Sequence, residues 1–284
     1  MATPFATPRA RALGFGLRTC REARNLGVRQ LARKIGVHAQ ELSNWEYGKR
    51  IPKIEQVALL MGALVVEPGE RARLLELART ATELSWLEKV MPGFSLKPGT
   101  YVQYEREASA LFGWEPALIP GLLQTAGYAR VVLAGFGVVG EQNEKLANAR
   151  QARRSVLAGA RPTPFRAIIG EAALRPDFIE PPVMVEQLRF LRDLSRRSNI
   201  SLQVLRRSPS FHPGLCGPFV ILDFWQLPPI VFIEQYRSSA YLYADDQVAD
   251  YRSAAKTLAA LALSEQESCA FIGEVIAELG GSDG

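Results

Sequence analysis

GVRQLARKIGVHAQELSNWEYGKRIP, residues 27–52, decides the fold of the N-terminal part of the chain. Apolar residues recur at helical spacing on both sides of Gly36 and predict two short helices, Val28–Ile35 and His38–Tyr47. Gly48 follows the second helix at the position where a left-handed residue commonly ends one. Two short helices split by a tight glycine turn are typical of a helix-turn-helix.

The second of these helices has two unlike faces. Leu42 and Trp45 form an apolar face, as a helix packed on a core requires. The other face carries Gln40, Ser43 and Asn44, where a solvated helix would usually carry Glu and Lys. Amide side chains can pair bidentately with adenine in the major groove of DNA. The face therefore favours base recognition, although Gln40 and Asn44 could instead only solvate an exposed helix.

The positive charge of the chain is concentrated in its first 80 residues. Residues 1–80 hold 14 Lys and Arg against 7 Asp and Glu, whereas residues 81–284 hold 20 against 22. Periodic apolar residues predict three further helices in this basic part, at Arg9–Asn25, Ile54–Leu64 and Glu70–Thr80. A small basic domain beside a near-neutral body suggests a polyanion as its partner, with an Arg-rich solvated surface as the alternative.

Residues 21–64, REARNLGVRQLARKIGVHAQELSNWEYGKRIPKIEQVALLMGAL, resemble the helix-turn-helix domain of phage-repressor-like (XRE-type) transcriptional regulators. The resemblance implies a double-stranded DNA operator as the partner. It places four side chains of the second helix toward the bases: Ala39, Gln40, Ser43 and Asn44. It places four others toward phosphates, which position a protein without reading sequence: Arg29, His38, Lys49 and Arg50. Two positions depart from the pattern, because Gly27 replaces the usual Thr N-cap and Val28 replaces a Gln that often contacts DNA.

The chain changes character after residue 80. Residues 81–100 contain two Pro-Gly breaks and are predicted to be a connector. Residues 101–284 alternate helical and strand-like stretches. The predicted helices are 101–112, 122–133, 141–157, 183–195, 247–261 and 265–279, and the predicted strands are 164–170, 200–206, 218–224, 229–234 and 240–244. We therefore expect an all-α phage-repressor-like helix-turn-helix domain, residues 1–80, followed by an α/β domain with a mixed sheet and flanking helices.

The motifs of common enzyme classes are missing from the sequence. It has no G-x-S-x-G, Walker A or H-E-x-x-H motif. GFGVVG, residues 135–140, fits a dinucleotide-binding pattern literally, but we interpret it as a connection between helices because no strand ending in an acidic residue follows at the required distance. Glu171 and His212 are the best remaining candidates for acid–base chemistry, without an evident triad partner. We expect no enzyme activity, no cofactor and, with three scattered cysteines and two histidines, no metal.

The sequence does not predict contact with a membrane. Its longest apolar stretches fall short of about 18 residues or are interrupted, as by Asp223 and Pro228-Pro229. The N-terminus lacks the hydrophobic core of a secretion signal. We therefore expect a cytoplasmic protein.

A second resemblance covers most of residues 100–270. It is carried by EREASALFGWEPALIPGLLQTAGYAR (105–130), GEAALR, NISLQVLR and HPGLCGPFVILDF (212–224). These runs resemble the DUF5753-type C-terminal domain of the WhiJ-like, antitoxin-like regulators of filamentous actinobacteria. The resemblance implies transcriptional control tuned by a small protein encoded nearby, and it offers no catalytic residue to transfer.

These expectations lead to a sequence-specific transcriptional regulator, a repressor, whose C-terminal domain binds a small partner protein. A homodimer would read two half-sites about one DNA turn, roughly 34 Å, apart. The alternative is a one-component regulator whose C-terminal domain senses a small molecule, and a third possibility is an enzyme with a DNA-targeting domain. Four residues are candidates for contact with a partner or ligand: Trp114, Tyr128, Glu171 and His212.

Overall fold

A computed structural model of the 284-residue chain describes residues 7–82, 86–89, 101–208, 210–225, 227–236 and 238–280. The chain divides into two units. The first comprises Met1–Glu88 with Lys97–Gln103, and the second comprises Lys89–Leu96 with Tyr104–Gly284. Most of the predicted connector, residues 81–100, lies outside the described residues.

Five α-helices build the first unit within residues 7–82. They are α1 (Pro8–Glu22), α2 (Val28–Ile35), α3 (Ala39–Glu46), α4 (Ile54–Ala63) and α5 (Pro68–Arg79). Their apolar faces contribute to the core one fully buried leucine each: Leu13, Leu31, Leu42, Leu60 and Leu74. The five helices predicted from apolar periodicity are confirmed, and only their ends differ.

Two glycines and a glutamine set the ends of the helix-turn-helix. Gly27 offers no side-chain cap to α2, but its N–H donates to Gln30 Oε1 at 2.8 Å, so the start of α2 keeps one capping interaction. Gly36 ends α2 with φ 72° and Gly48 follows α3 with φ 65°, a conformation that other residues adopt at a cost. The prediction that Gly48 follows the end of the second helix is confirmed.

The second unit is built on a mixed β-sheet. Its strands are β2 (Ala110–Glu115), β3 (Phe165–Gly170), β4 (Ile200–Leu205), β5 (Phe219–Asp223), β6 (Ile230–Gln235) and β7 (Ser238–Leu242), and the short β1 (Trp86–Lys89) precedes them in the chain. These six strands stand in the order β7-β6-β5-β2-β3-β4. β2, β3 and β4 are parallel, whereas β5, β6 and β7 form an antiparallel meander beside β2. The predicted mixed sheet is confirmed.

Helices accompany both faces of the sheet. They are α6 (Tyr101–Glu107), α7 (Ala126–Gly135), α8 (Gly140–Arg153), α9 (Pro181–Ser195), α10 (Asp245–Leu261) and α11 (Glu265–Glu278). On one face, Trp114, Phe219 and Val231 pack with Val248 and Leu258 of α10. The crossover helices α7, α8 and α9 connect the parallel strands and cover the opposite face, as right-handed connections require. In the described part of the chain, no helix is both long and apolar enough to span a bilayer.

The structure corrects one element of the predicted fold. A helix was expected over residues 101–112, but α6 ends at Glu107 and β2 occupies Ala110–Glu115. β2 reads ALFGWE, and a short apolar run of this kind fits a buried strand as well as a helix. The short β1 was not predicted either. The interpretation of residues 135–140 is confirmed, because α7 ends at Gly135 and α8 begins at Gly140.

Candidate functional site

α3 is held against the first unit by its apolar face and by close backbone packing. Leu42 and Trp45 are buried on that face. Gly14 of α1 lies directly against the C-terminal end of α3. A Cβ at this position would clash with the carbonyl oxygen of Trp45 and lie 2.7 Å from that of Glu46. Only glycine therefore lets α1 approach α3 this closely.

A buried ion pair fixes the last residue of α3 to α1. The Arg21 guanidinium donates to Glu46 through Nε at 2.6 Å and through Nη2 at 2.8 Å, and its Nη1 donates to the Leu26 carbonyl at 2.7 Å. Both side chains are shielded from solvent, with exposed fractions of 9% for Arg21 and 2% for Glu46. The hydrogen bonds to Glu46 raise the pKa of Arg21 above its ordinary value. The pair is bidentate and keeps the guanidinium charged.

The face of α3 that points away from the core carries the four predicted base-contacting residues. Gln40 is exposed, and Ala39, Ser43 and Asn44 are half-buried. Gln40 and Asn44 lie one helical turn apart, and Gln40 Nε2 donates to Asn44 Oδ1 at 3.3 Å. The structure therefore gathers the two amides into a single polar surface that a base edge can approach.

Cations flank this amide surface in the sequence and stay in solvent. Arg29, His38, Lys49 and Arg50, the predicted phosphate contacts, are all exposed. The Lys49 ammonium lies 5.7 Å from the centre of the Tyr47 ring, just after α3. The backbone N–H of Arg50 donates to the Asn44 carbonyl at 3.2 Å, so the segment after α3 is tied to the helix. Exposed cations next to a polar helix face have the arrangement that phosphate binding requires.

Two of the four candidate residues of the second unit lie together beneath a loop. Trp114 is buried on the α10 face of the sheet, and its indole N–H donates to the Gly214 carbonyl at 2.9 Å. The His212 ring centre is 6.2 Å from that of Trp114. His212 is 6% exposed, and its Nδ1 makes no hydrogen bond in the described structure. This pair belongs to the packing between sheet and loop.

Glu171 lies elsewhere, just after β3, and is occupied by structural contacts. It accepts a hydrogen bond from Arg175 Nη1 at 3.0 Å and another from the backbone N–H of Arg207 at 3.0 Å. Among the described residues, no hydrogen bond or ion pair joins Glu171 to His212. The acid–base pairing considered for these two residues therefore gains no support from the geometry.

Tyr128, the fourth candidate, lies with three charged residues on the other face of the sheet. Its hydroxyl oxygen accepts a hydrogen bond from the Ile119 N–H at 3.1 Å, and its side chain is fully buried. Nearby are Glu115 at the end of β2, Glu234 in β6 and Arg150 of α8. We call these four residues the polar recess. Its existence was not predicted, although it contains one predicted residue.

The charges of the polar recess influence one another. Burial, reinforced by the negative charge of Glu234, raises the pKa of Glu115 from 4.5 to about 8. Burial also raises the pKa of Glu234 and brings that of Tyr128 to about 12. Burial and the neighbouring Arg153 lower the pKa of Arg150 to about 10. Glu234 is nevertheless exposed, so the recess is open to water on the side of β6.

Two family models match the chain. One, described as a helix-turn-helix domain, matches residues 12–74, and the other, described as a domain of unknown function (DUF5753), matches residues 98–274. The second match covers more than half of the chain. The chain belongs to the DUF5753 family. The first match makes the N-terminal unit a DNA-binding helix-turn-helix domain. No curated protein and no solved structure matches the chain.

The recess residues of this DUF5753 domain left faint signals in the sequence. Glu115 and Glu234 each follow a short apolar run, ALFGW and PIVFI, at the point where a strand leaves the core. Arg150 follows Leu146 and Ala147 at helical spacing, so it occupies an apolar position of α8. A charge at a core position is costly and marks a site to inspect. Within the described residues, no group of three or more His, Cys, Asp or Glu could hold a metal ion.

Proposed function

We propose that the protein represses transcription by inserting α3 into the major groove of a specific operator. The observation that supports the proposal is the joined amide surface of Gln40 and Asn44. Amides are the side chains that read adenine bidentately. Ala39 and Ser43 complete the base contacts, and the exposed cations on either side of α3 contact phosphates and set the register.

A homodimer would present two copies of α3 to the operator. In helix-turn-helix dimers the half-sites lie about 10 base pairs apart and the operator is palindromic. The proposal therefore predicts a two-fold symmetric binding sequence. A single copy would select one half-site only.

Selection from a random duplex pool tests base reading without knowledge of the target genes. The full chain should enrich a palindromic sequence. The variant with Gln40→Ala and Asn44→Ala should lose the enrichment while it still binds DNA through phosphates. The matched control Gln142→Ala removes an exposed amide of α8 and should select the same sequence as the wild type. Enrichment of one sequence by both the wild type and the double variant contradicts base reading by α3.

The sign of regulation requires its own measurement. A reporter gene placed under the selected operator should be expressed less when the protein is present, because a bound repressor blocks the promoter. Increased expression would make the protein an activator. The double amide variant should leave the reporter at its unregulated level.

We further propose that the second unit binds a small partner protein encoded nearby. The resemblance to the WhiJ-like regulators supports this proposal. Large exposed apolar side chains also support it, among them Phe211 at 79% and Trp225 at 87% exposure, because a protein partner would bury them. Calorimetric titration with the neighbouring gene product should detect binding that Phe211→Ser weakens. Absence of heat would contradict the proposal.

A second candidate function is small-molecule sensing by the second unit. The observation that favours it is the polar recess, in which Glu115, Glu234, Arg150 and Tyr128 influence one another's pKa values on one face of the sheet. A ligand bound there would change DNA affinity only if it bound one conformation of the protein better than another. DNA affinity measured with and without a recess ligand tests this coupling.

A further inference from the structure

A groove runs between α9 and α11 on the surface of the second unit. α11 is fixed along β4, because Ser268 Oγ accepts from the Val204 N–H and the Val204 carbonyl accepts from the Leu263 N–H, both at 2.9 Å. α9 lies beside α11, and Arg192 Nη1 would be 3.9 Å from a Cβ at Gly273. The groove between the two helices has a volume of about 700 Å³ and is open to solvent on its outer side.

Small side chains form the α11 part of the groove. The apolar face of α11 is already used in the core, where its buried residues are Phe271, Ile272, Val275 and Ile276. On the outward face, Ala270 and Ala277 are exposed, and Gly273 between them is half-buried. Another helix can approach such a surface closely, at about 8 Å between axes, because no long side chain keeps it away.

The two walls of the groove carry opposite charges. Arg192 and Arg196 line the α9 wall, whereas Glu265 and Glu274 line the α11 wall. The same contrast holds along the helices, since α11 contains four acidic residues and no Lys or Arg, and residues 181–197 contain four Arg and two acidic residues. The Arg196 side chain is 73% exposed and has only a 3.5 Å contact with an equally exposed Asp193, which holds it weakly.

A surface with one positive and one negative wall is complementary to a copy of itself. In a two-fold symmetric dimer the same surface of each subunit faces its own copy. A two-fold axis along the groove places α9 of one copy over α11 of the other, so each arginine wall meets a glutamate wall. An axis across the groove would bring like charges together. A partner of uniform charge, such as a nucleic acid, would meet one attractive and one repulsive wall.

We infer that the groove between α9 and α11 is the homodimer interface of the protein, and that its occupant is a second copy of this chain. Four helices meet at this interface, with small residues at the centre and charged pairs at the rim. The inference rests on the proposed function as an operator-reading dimer, for which it names the surface that joins the two copies.

Analytical ultracentrifugation of the full chain tests the inference with two wall variants. The wild type should sediment as a dimer at tens of micromolar, for a Kd on the order of 1 μM. Arg192→Glu with Arg196→Glu makes both walls negative, and Glu265→Lys with Glu274→Lys makes both walls positive. Each variant alone should dissociate, with a Kd raised at least tenfold, because like charges then face each other. An equimolar mixture of the two variants should form dimers again, because every wall now meets its opposite.

Two further variants separate the groove from general effects of charge and folding. Arg252→Glu with Lys256→Glu reverses two exposed cations one turn apart on α10 and should remain dimeric. Ala270→Trp fills the groove from an exposed position and should give a folded monomer, with the circular dichroism of the wild type. Recovery of dimers in the mixture shows by itself that both wall variants are folded.

Three outcomes overturn the inference: a monomeric wild type, dimers that persist in both wall variants, or a mixture that stays monomeric. A monomeric wild type would leave the groove to a different protein. No DNA is present in these experiments, so their failure leaves base reading by α3 untouched. A dimer that forms through the groove but enriches no palindrome from the random pool would keep the inference and contradict the proposed function.

Discussion

Glu46→Ala should destabilise the first unit strongly, because it removes one partner of a buried ion pair. Arg21 would keep its charge, its hydrogen bond to the Leu26 carbonyl and a 3.5 Å contact with the exposed Glu22 carboxylate, but it would lose both hydrogen bonds to Glu46. Leaving such a charge buried without its bidentate partner costs about 3–5 kcal/mol. The stability of a small domain is only about 5–15 kcal/mol, so the loss is a large share of it. α3 should loosen at its C-terminal end, which the pair ties to α1.

Hydrogen–deuterium exchange of the full chain measures this effect locally. Peptides spanning residues 38–48 should exchange faster in Glu46→Ala, with a free energy of opening lowered by about 3–5 kcal/mol. The control Glu76→Ala breaks the exposed pair with Arg79 in α5 and should cost below about 1 kcal/mol. The double variant Arg21→Met with Glu46→Leu replaces the pair by apolar side chains and should recover most of the protection. A loss below about 1 kcal/mol in Glu46→Ala would refute the reasoning.

Three further predictions concern other contacts. Gly14→Ala should lower the melting temperature and the DNA affinity together, because its methyl group displaces the end of α3 at Trp45; unchanged DNA affinity would contradict it. Gln187→Leu should cost about 2–4 kcal/mol in urea denaturation, because the buried amide serves two backbone groups, including the Thr125 N–H at 2.6 Å; a neutral result would show that water replaces it. Burial raises the pKa of Glu115 from 4.5 to about 8, so folding favours its protonated form. Its contribution to the free energy of unfolding is fully present below about pH 4.5 and is lost as the pH rises to about 8. This loss is on the order of 2–4 kcal/mol after solvent screening. Melting temperatures should therefore fall less from pH 5 to pH 8 in Glu115→Gln, and parallel curves would count against this cause.

Local patterns made the first unit predictable. The two helices around Gly36 follow from apolar spacing and glycine placement over fewer than 30 residues. The apolar residues that set this spacing are also the ones that pack into the core. The Arg21–Glu46 ion pair was not predicted, because 25 positions separate the two residues and no sequence pattern indicates that they are in contact. Periodicity identifies which face of a helix is buried but not which charges are buried with it.

The fold class of the second unit could be predicted from the sequence, but the polar recess could not. Five strands and the crossover helix α9 were recognised from composition and length, but β2 was assigned to a helix. β2 is a central strand and carries Glu115 at its end. Because β2 was assigned to a helix, its register with β5 and β6, which brings Glu115 and Glu234 to one face of the sheet, could not be predicted. Strand order and register are set by contacts between distant segments, and a single sequence does not display them. Trp114 and Tyr128 were both candidates, yet the sheet separates them onto opposite faces.

Fluorescence anisotropy with the DNA upstream of the protein's own gene tests the central claim most directly. The full chain is titrated with this duplex and with a scrambled duplex, each at two salt concentrations. Base reading by α3 predicts tighter binding to the native duplex that persists at the higher salt and disappears in the Gln40→Ala, Asn44→Ala variant. Equal binding to both duplexes with the same steep salt dependence would show phosphate contacts alone and contradict the claim.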